Sequence, residues 1–340
     1  MKTNFYIVSN DNFFLQNKNI YGANKNTHTI LNFFSKKKYN SKLIARLDNN
    51  INLKKQKIKN MEFINFKKIL SIKNNLNNSK FLFLSITPFN FVILIILLFS
   101  HIRKKDFFLF LRSDGFKEYK IKFGFIGYYF YYIMFYFFKK NTNIFSVSST
   151  FTNIHKTKVI YPSEITNTWN TRTQYKKIKK QINFLYVGRF KVEKGYNFLI
   201  NLFDKLSVNY KLNMVGSTKN KKYLKKNIKT YKYIYDIKYL KKFYDNSNIF
   251  ILPSYTEGYP QVILESLSRL RPVIVFSEIA FLKKQFKHGI FVSKRNVLDF
   301  ENTVKHIVTN YDKIIKNMKK NKILLKKDYQ KSILEYLNYE

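Results

Sequence analysis

Cysteine is absent from this 340-residue chain. The absence excludes a disulfide framework, a thiolate metal site and a cysteine nucleophile. It also fits a reducing compartment, so we predict a cytoplasmic protein. The N-terminal run Phe5–Ser9 is too short for the apolar region of a signal peptide and is typical of a first strand.

Small residues and acidic residues are also scarce. The chain has nine glycines, five prolines and three alanines, whereas Lys, Asn, Ile, Phe and Tyr are abundant, as an AT-rich genome would encode. Twenty Asp and Glu stand against 63 Lys and Arg, for a formal net charge of +43. Such an excess indicates a polyanionic partner unless codon bias produced it. No zinc-finger, helix-turn-helix or RNP-like motif supports nucleic acid, so an anionic membrane surface is the partner we expect.

The length and the 45% hydrophobic content predict two domains, each with its own core. Apolar strand-like runs alternate with helical patterns throughout, which indicates parallel sheets covered on both faces. In the second half the predicted strands are Ile182–Val187, Tyr210–Val215, Lys232–Tyr235, Ile249–Leu252, Val273–Phe276 and Gly289–Val292. We predict an N-terminal domain over 1–165, a linker over 166–181, a C-terminal domain over 182–325 and a helical tail over 326–340.

Two apolar segments raise the question of a membrane. Phe81–Ile102 carries no charge and is long enough to span a bilayer, but Ser85, Pro88 and Asn90 interrupt it. We therefore predict a strand, a turn and a short buried helix. The aromatic run Gly127–Phe138 is either a core helix or a face that lies in the membrane interface.

The stretch Val187–Gly195 joins a predicted strand to a helix that begins near Tyr196. Gly188 permits backbone conformations that are closed to other residues. Arg189 and Lys194 lie at the two ends of the loop, where a guanidinium fork and a compact ammonium suit phosphate oxygens. A solvated basic loop is the alternative, but arginine is scarce here, with eight residues, which favours a functional role.

The stretch Pro253–Glu265 places two carboxylates after a predicted strand and at the opening of a predicted helix. Their spacing is a little over two helical turns, so a helix from Gly258 puts Glu265 on its inner face and Glu257 at its start. The first N–H groups of a helix are unpaired and favour anions. Carboxylates that bind hydroxyl groups beside an anion site indicate a sugar nucleotide.

Together these motifs resemble a known family. Gly-Arg-Phe-x-x-Glu-Lys-Gly, then Pro-Ser-x-x-Glu-Gly-Tyr-Pro-x-x-x-x-Glu and Pro272-Val273-Ile274, is similar to the family 4 retaining glycosyltransferases of group 1 type. The resemblance covers most of 182–308. It implies the GT-B fold, in which two facing Rossmann-like α/β domains hold the active site in the cleft between them.

The resemblance also implies residue roles. Arg189 and Lys194 would hold the donor diphosphate and neutralise the leaving group, and Glu265 would bind the ribose hydroxyls. Glu257 would hold the donor sugar at the reacting carbon. The remaining donor-binding residues on matching positions are Gly188, Gly258, Tyr259 and Pro260. Departure of a nucleoside diphosphate develops negative charge that fixed cations stabilise, and no Asp-x-Asp cluster indicates a metal. We expect no metal and no cofactor, with the nucleotide sugar as substrate.

The N-terminal half matches this family less closely. Gly22 resembles its glycine loop, although the usual second glycine is missing, and we take Gly22 as a candidate donor contact. Asp114 follows a predicted strand and is a candidate donor or acceptor contact, with an Asp-Gly turn as the alternative. In the second half, Leu270 stands where the family usually has a glycine.

The interpretation is a metal-independent, retaining glycosyltransferase of hexosyltransferase type. It would move a sugar from a nucleoside-diphosphate donor to a glycan or lipid-linked acceptor, in cell-envelope polysaccharide or lipopolysaccharide synthesis at the inner face of the cytoplasmic membrane. Two alternatives stay open: another GT-B enzyme such as a sugar-nucleotide epimerase, and a non-enzymatic basic protein that binds membranes or nucleic acid.

Overall fold

The computed structural model divides the chain into two compact units, Met1–Glu164 with Tyr329–Glu340, and Ile165–Asp328. The residues that the structure describes are 4–17, 19–22, 25–35, 40–48, 57–58, 61–65, 68–69, 76, 79–99, 106–148, 157–170, 177–178, 180–217 and 227–337.

This division groups two segments differently from the sequence interpretation. Trp169, in the predicted linker, is 1% exposed in the core of the second unit, where its ring packs against Tyr244. Most of the predicted tail belongs to the first unit, because the Tyr336 ring packs against Phe145 and its hydroxyl donates to the carbonyl of Ile144 at 3.1 Å.

The first unit is built on a mainly parallel sheet. Among its described residues the sheet has the order β4-β2-β1-β6-β7-β8-β9, and β3 pairs with β1 and β5. Only β2 pairs antiparallel there, with β1 and β4. The strands are β1 (Asn4–Gln16), β2 (Asn19–Gly22), β3 (Asn40–Leu47), β4 (Lys57–Ile58), β5 (Glu62–Ile64), β6 (Ser79–Phe83), β7 (Phe107–Leu111), β8 (Asn143–Ser146) and β9 (Lys158–Val159).

The described helices of the first unit cover this sheet. They are α1 (Lys25–Phe34), α2 (Pro88–Leu98) and α3 (Gly115–Asn141), and α10 (Lys326–Tyr336) returns to it near the end of the chain. The segment that raised the membrane question forms β6, a turn and α2, whose start is capped by the Thr87 hydroxyl accepting from the Asn90 amide. Of the helices in the described part of the chain, none combines the length and the apolar character needed to cross a bilayer.

The second unit contains a parallel sheet with the order β12-β11-β10-β13-β14-β15 in its described residues. The strands are β10 (Ile182–Val187), β11 (Tyr210–Ser217), β12 (Ile228–Lys232), β13 (Ile249–Leu252), β14 (Val273–Phe276) and β15 (Ile290–Ser293). The strand predicted over Lys232–Tyr235 is wrong. The residues that pair with β11 begin at the buried Ile228, whereas Tyr233 and Tyr235 are exposed beyond the strand.

Helices on the second sheet bury their apolar faces against it. The described ones are α4 (Asn167–Asn170), α5 (Tyr196–Asp204), α6 (Ile237–Asp245), α7 (Gln261–Ser268), α8 (Val297–Thr309) and α9 (Tyr311–Met318). Their buried residues share one core with strand residues such as Leu185 and Ile251, which are fully buried. Parallel strands between helices confirm the predicted α/β class.

Helix α7 begins later in the chain than predicted. It starts at Gln261 and not at Gly258, since Pro260 is extended and occupies the N-cap position. A proline also disfavours helical geometry in the residue before it, which excludes Tyr259 from the helix. After the helix, Leu270 has a φ of 55°, so a branched residue adopts the left-handed conformation at the place where the family usually has a glycine.

Candidate functional site

The predicted donor-binding segments follow two neighbouring strands of the second unit. Strand β10 pairs in parallel with both β11 and β13, and the chain proceeds from it toward opposite edges of the sheet. This is a topological switch point, where the loops after the two central strands diverge and leave room for a ligand. Gly188 and Arg189 follow β10, and Pro253–Glu257 follows β13.

The two loops touch at Gly195. Its φ is 66°, and a Cβ added there would lie 2.0 Å from the carbonyl oxygen of Pro253, so a side chain at 195 would collide with the other loop. The amide of Tyr255 also donates to the carbonyl of Glu193 at 3.0 Å. Glycine is therefore required here by both the backbone conformation and the close approach.

This contact brings two predicted site residues together. The Nζ of Lys194 donates to the Oε1 of Glu257 at 2.6 Å, and the Oγ of Ser254 donates to the same oxygen at 2.6 Å. The two side chains of the ion pair are 20% and 11% exposed, so water screens them only in part. The sequence interpretation assigned Lys194 to the diphosphate and Glu257 to the sugar; the structure adds that each holds the other in position.

Arg189 is exposed on the loop that follows β10, and a hydrogen bond holds its backbone carbonyl. The hydroxyl of Tyr186 donates to the Arg189 carbonyl at 2.9 Å. Burial, followed by the charge of Glu257, raises the pKa of Tyr186, which keeps it a neutral donor. A Cβ added to Gly188 would come within 2.7 Å of that hydroxyl, and one added to Gly216 within 2.1 Å of the Gly188 carbonyl. Gly216 thus permits the close approach to the Gly188 backbone, and no sequence motif marked it.

The residues between Glu257 and α7 form the approach to the helix. Gly258 is buried, Tyr259 and Pro260 are partly buried, and the Tyr259 ring lies 6.0 Å from that of Phe286. Pro260, at the N-cap of α7, makes no side-chain hydrogen bond to the first turn. Backbone N–H groups at such a start are directed out of the helix, where a polar ligand accepts from them. Donor-sugar binding by this segment stays a prediction.

Glu265 lies inside the unit. It is 3% exposed, and its Oε2 accepts from the hydroxyl of Tyr244, on α6, at 2.8 Å. Burial, followed by the charge of Glu265 and this hydrogen bond, raises the pKa of Tyr244 well above its ordinary value. A neutral tyrosine thus fixes one oxygen of the carboxylate. Ribose binding by Glu265 stays a prediction, and no sequence signal marked Tyr244 as its partner.

Arg295 supports the loop that follows β13, and no sequence motif marked it. Its Nη2 donates to the carbonyls of Pro253 at 2.9 Å and Ser254 at 3.2 Å, and its Nε donates to Glu278. The guanidinium carbon also lies 4.0–4.8 Å from the centroids of three rings, those of Phe198, Tyr255 and Phe276. Its Nη1 is buried with no hydrogen-bond partner among the described residues. The rarity of arginine was the available signal.

In the first unit the structure gives Gly22 and Asp114 structural roles. Gly22 ends β2 with a φ of 137°, and a Cβ there would lie 2.7 Å from the Asn12 carbonyl oxygen. Asp114 caps α3 by accepting from the amide of Lys117 at 3.1 Å. Their donor or acceptor contacts stay predictions.

Arg112, two residues before this cap, is held beyond the end of β7. Its Nε donates to the Leu84 carbonyl and its Nη1 to the Thr27 hydroxyl, both at 2.9 Å. Burial lowers the pKa of Arg112, while the nearby Asp11 acts in the opposite direction. No sequence motif marked this partly buried cation beside the strand ends.

Comparison with known proteins bears on both units. Residues 167–331 match the family model described as Glycosyl transferases group 1. An uncharacterized glycosyltransferase of Haemophilus influenzae is 26% identical over 159 residues, which are 44% of each chain. An uncharacterized 41.2 kDa protein in the cps region of Klebsiella pneumoniae is 30% identical over 116 residues, or 33% of this chain and 32% of the relative. The matched regions thus span less than half of these relatives.

The fold is similar to solved structures over nearly the whole chain. The lipopolysaccharide outer core galactosyltransferase WaaB, in its apo form, has a TM-score of 0.67 at 12% identity, covering 99% of each chain. Anabaena Alr3699/HepE in complex with UDP and glucose has a TM-score of 0.68 at 11% identity, again covering 99% of each. At such identities the likeness concerns the fold alone. The chain has the predicted GT-B fold, and its residues 167–331 match the glycosyl transferases group 1 family.

Proposed function

We propose that the protein is a glycosyltransferase that moves a sugar from a nucleoside-diphosphate donor to a glycan or lipid-linked acceptor in cell-envelope polysaccharide or lipopolysaccharide synthesis. The observation that carries the proposal is the 2.6 Å pair between Lys194 and Glu257, on two loops at the switch point of the second sheet. The match of residues 167–331 to the group 1 family, the cps-region relative and the fold shared with a lipopolysaccharide galactosyltransferase support it.

The Lys194–Glu257 pair suits a reaction in which a nucleoside diphosphate leaves the donor sugar. When the bond between the sugar and the diphosphate breaks, negative charge grows on the leaving oxygen, and a preorganised cation stabilises it. Glu257 and Ser254 restrict Lys194 before the donor arrives, so little reorganisation is needed during the reaction. Arg189, exposed on the same loop, is the proposed second phosphate ligand. Glu265, oriented by Tyr244, is the proposed ligand of the ribose hydroxyls.

Two finer features belong to the proposal. We assign retention of configuration by attack on the same face as the departing diphosphate, with Glu257 positioning the sugar and not acting as a covalent nucleophile. We also assign the leaving-group charge to Lys194 and Arg189, without a metal. Proton NMR of the first-formed product reports its anomeric configuration, and an inverted product would exclude retention. A chelator should leave the rate unchanged; a loss restored by Mg²⁺ or Mn²⁺ would exclude metal independence.

The direct test uses three single variants of the full chain. Lys194→Met and Glu257→Gln should each reduce donor hydrolysis by about 100-fold or more, the effect of removing one preorganised charge in a partly buried site. Lys191→Met, exposed in the same loop, is the matched control and should change the rate less than threefold. UDP-glucose is the first donor to try, because Alr3699/HepE was solved with UDP and glucose.

Two outcomes would contradict the proposal. Equal activity of Lys194→Met and Lys191→Met would remove Lys194 from the site. Free epimerised sugar nucleotide, formed without an acceptor, would favour an epimerase. Before kinetics, a thermal-shift screen over nucleoside diphosphates identifies the base, since a ligand that binds the folded state raises the unfolding temperature with its concentration.

We also place the enzyme at the inner face of the cytoplasmic membrane, where a lipid-linked acceptor is available. The formal net charge of +43 favours an anionic surface.

A further inference from the structure

Helix α3 of the first unit consists of two helical arms that fold back on each other. Gly124 interrupts it with φ 64° and ψ −151°, a conformation that residues with a side chain essentially do not adopt. In a straight helix Phe116 and Tyr131 would be about 22 Å apart, yet their ring centroids are 4.8 Å apart. Residues 115–141 therefore form a helical hairpin with its tip at Gly124.

Close packing joins the two arms. A Cβ added to Gly115 would lie 2.1 Å from the Tyr131 ring, and one added to Gly127 would lie 2.4 Å from the Tyr119 carbonyl oxygen. Phe135 packs against Phe116 as well, with ring centroids 5.2 Å apart. The inner side of the hairpin is thus an aromatic seam that belongs to the core of the unit.

The opposite side of the second arm is apolar and exposed. At 100° per residue, eight of its exposed apolar side chains fall within an arc of about 160°. We call this surface the outer face; it consists of Phe125, Ile126, Tyr129, Phe130, Tyr132, Ile133, Tyr136 and Phe137. An ordinary surface helix turns polar residues outward, and this one does the reverse.

The size of the outer face is unusual for a surface in water. With Ile121 and Phe123 at the tip, ten large apolar or tyrosine side chains are between 42% and 83% exposed, for an area on the order of 1,000 Å². The largest apolar patch of a typical monomer is about 300–600 Å². An exposed apolar patch of this size is typical of an interaction site for a membrane or another protein.

Basic residues flank the outer face. Lys117, Lys120 and Lys122 lie on the first arm and Lys139 and Lys140 at the end of the second, all exposed, with one glutamate in the same segment. The ammonium of Lys120 lies 4.8 Å from the centroid of the Phe125 ring at the tip. Such lysines keep their charge in the headgroup layer while their stems cover apolar surface.

We infer that the helical hairpin is a membrane-insertion element whose outer face lies in the interfacial layer of an anionic bilayer. Phenylalanine and isoleucine enter the acyl boundary, tyrosine stays at headgroup depth, and the flanking lysines contact lipid phosphates. A second copy of this chain fits less well, because a two-fold contact would bring the same lysines against one another. The inference rests on the proposed function only in that a lipid-linked acceptor would be used at this surface.

The test is co-sedimentation of the full chain with vesicles of phosphatidylglycerol and phosphatidylcholine in 0.5 M NaCl, a concentration chosen to screen simple attraction by the net charge. Wild type should bind, and Phe125→Ser with Ile126→Ser should bind at least about tenfold more weakly. These side chains are 70% and 83% exposed, so the change leaves the core intact. Leu298→Ser, 71% exposed in the second unit, is the matched control and should bind as wild type does.

A second measurement reports insertion directly. Tyr129→Trp places a fluorophore on the outer face, while the native Trp169 is buried in the second unit and gives a constant background. Its emission should shift to the blue and be quenched by brominated lipid. The inference is overturned if wild type does not bind in 0.5 M NaCl, if the double variant binds as well as wild type, or if the fluorophore is unquenched.

Two further readouts separate this inference from its rivals. Sedimentation without lipid should find a monomer; a dimer that the double variant dissociates would assign the outer face to a second copy and overturn the inference. The double variant should keep the thermal shift produced by the donor nucleotide. Vesicle binding without any nucleotide shift in wild type would contradict the proposed function alone.

Discussion

Substitution of Gly195 by alanine tests how closely the two loops of the site must approach. The residue has a φ of 66°, and its added Cβ would lie 2.0 Å from the Pro253 carbonyl oxygen, whereas ordinary contacts of this kind begin at 3.4 Å. The backbone of one loop must therefore move by more than 1 Å. Lys194 precedes this position and Glu257 follows Pro253 on the other loop, so the 2.6 Å distance between them lengthens.

Two effects set the magnitude. The left-handed conformation costs an alanine roughly 1 kcal/mol, which lowers the free energy of unfolding. Displacement of a catalytic group by about 1 Å costs on the order of 100-fold in rate, or about 2.7 kcal/mol of transition-state stabilisation. We expect Gly195→Ala to lose about 100-fold in kcat/KM for donor hydrolysis.

The matched control is Gly289→Ala in the same unit. Its φ is 92°, but the three atoms nearest the added Cβ all belong to the side chain of Met318, which is flexible and adjusts. The control should lose a similar amount of stability in urea unfolding and keep donor hydrolysis within threefold of wild type. Equal activity of Gly195→Ala and Gly289→Ala would refute the claim that loop approach positions Lys194.

Three other substitutions have defined outcomes. Tyr244→Phe removes the donor to Glu265 and should lower the free energy of unfolding by about 1–3 kcal/mol at pH 7. The pKa of Tyr244 is raised in the folded state above its ordinary 10.0, so the unfolded chain loses this proton first and the free energy of unfolding falls as pH rises beyond 10. Urea melts of Tyr244→Phe should show a smaller fall over this pH range. An unchanged fall would contradict a protonated Tyr244 that donates to Glu265. Arg295→Lys loses the planar guanidinium that donates to the carbonyls of Pro253 and Ser254. Thermal unfolding should show a loss of about 1–2 kcal/mol in the free energy of unfolding, and nucleotide binding should weaken severalfold. Unchanged nucleotide affinity would limit Arg295 to a stabilising role. Gly115→Ala forces the Tyr131 ring away, which should lower the free energy of unfolding by about 1–3 kcal/mol and speed proteolysis within the hairpin. A variant as resistant to proteolysis as wild type would contradict close packing between the two arms.

Local patterns predicted the second sheet well. Strands over Ile182–Val187, Ile249–Leu252 and Val273–Phe276 are confirmed residue for residue, because a continuous apolar run between polar turns is a short-range signal. The start of α7 was wrong by three residues, since the effect of Pro260 on its neighbour outweighed the carboxylate spacing. The strand at Lys232–Tyr235 was wrong because exposed tyrosines imitate a strand pattern.

Local sequence patterns indicate two α/β units, a cation-bearing loop after one strand, and two carboxylates after another. Which of these groups meet depends on packing between distant segments. Lys194 and Glu257 are 63 positions apart, and they form a pair because the sheet order makes β10 and β13 neighbours and Gly195 lets their loops touch. The partners of Glu265, the aromatic cage of Arg295 and the reversal at Gly124 depend likewise on packing between distant segments, which no local periodicity encodes.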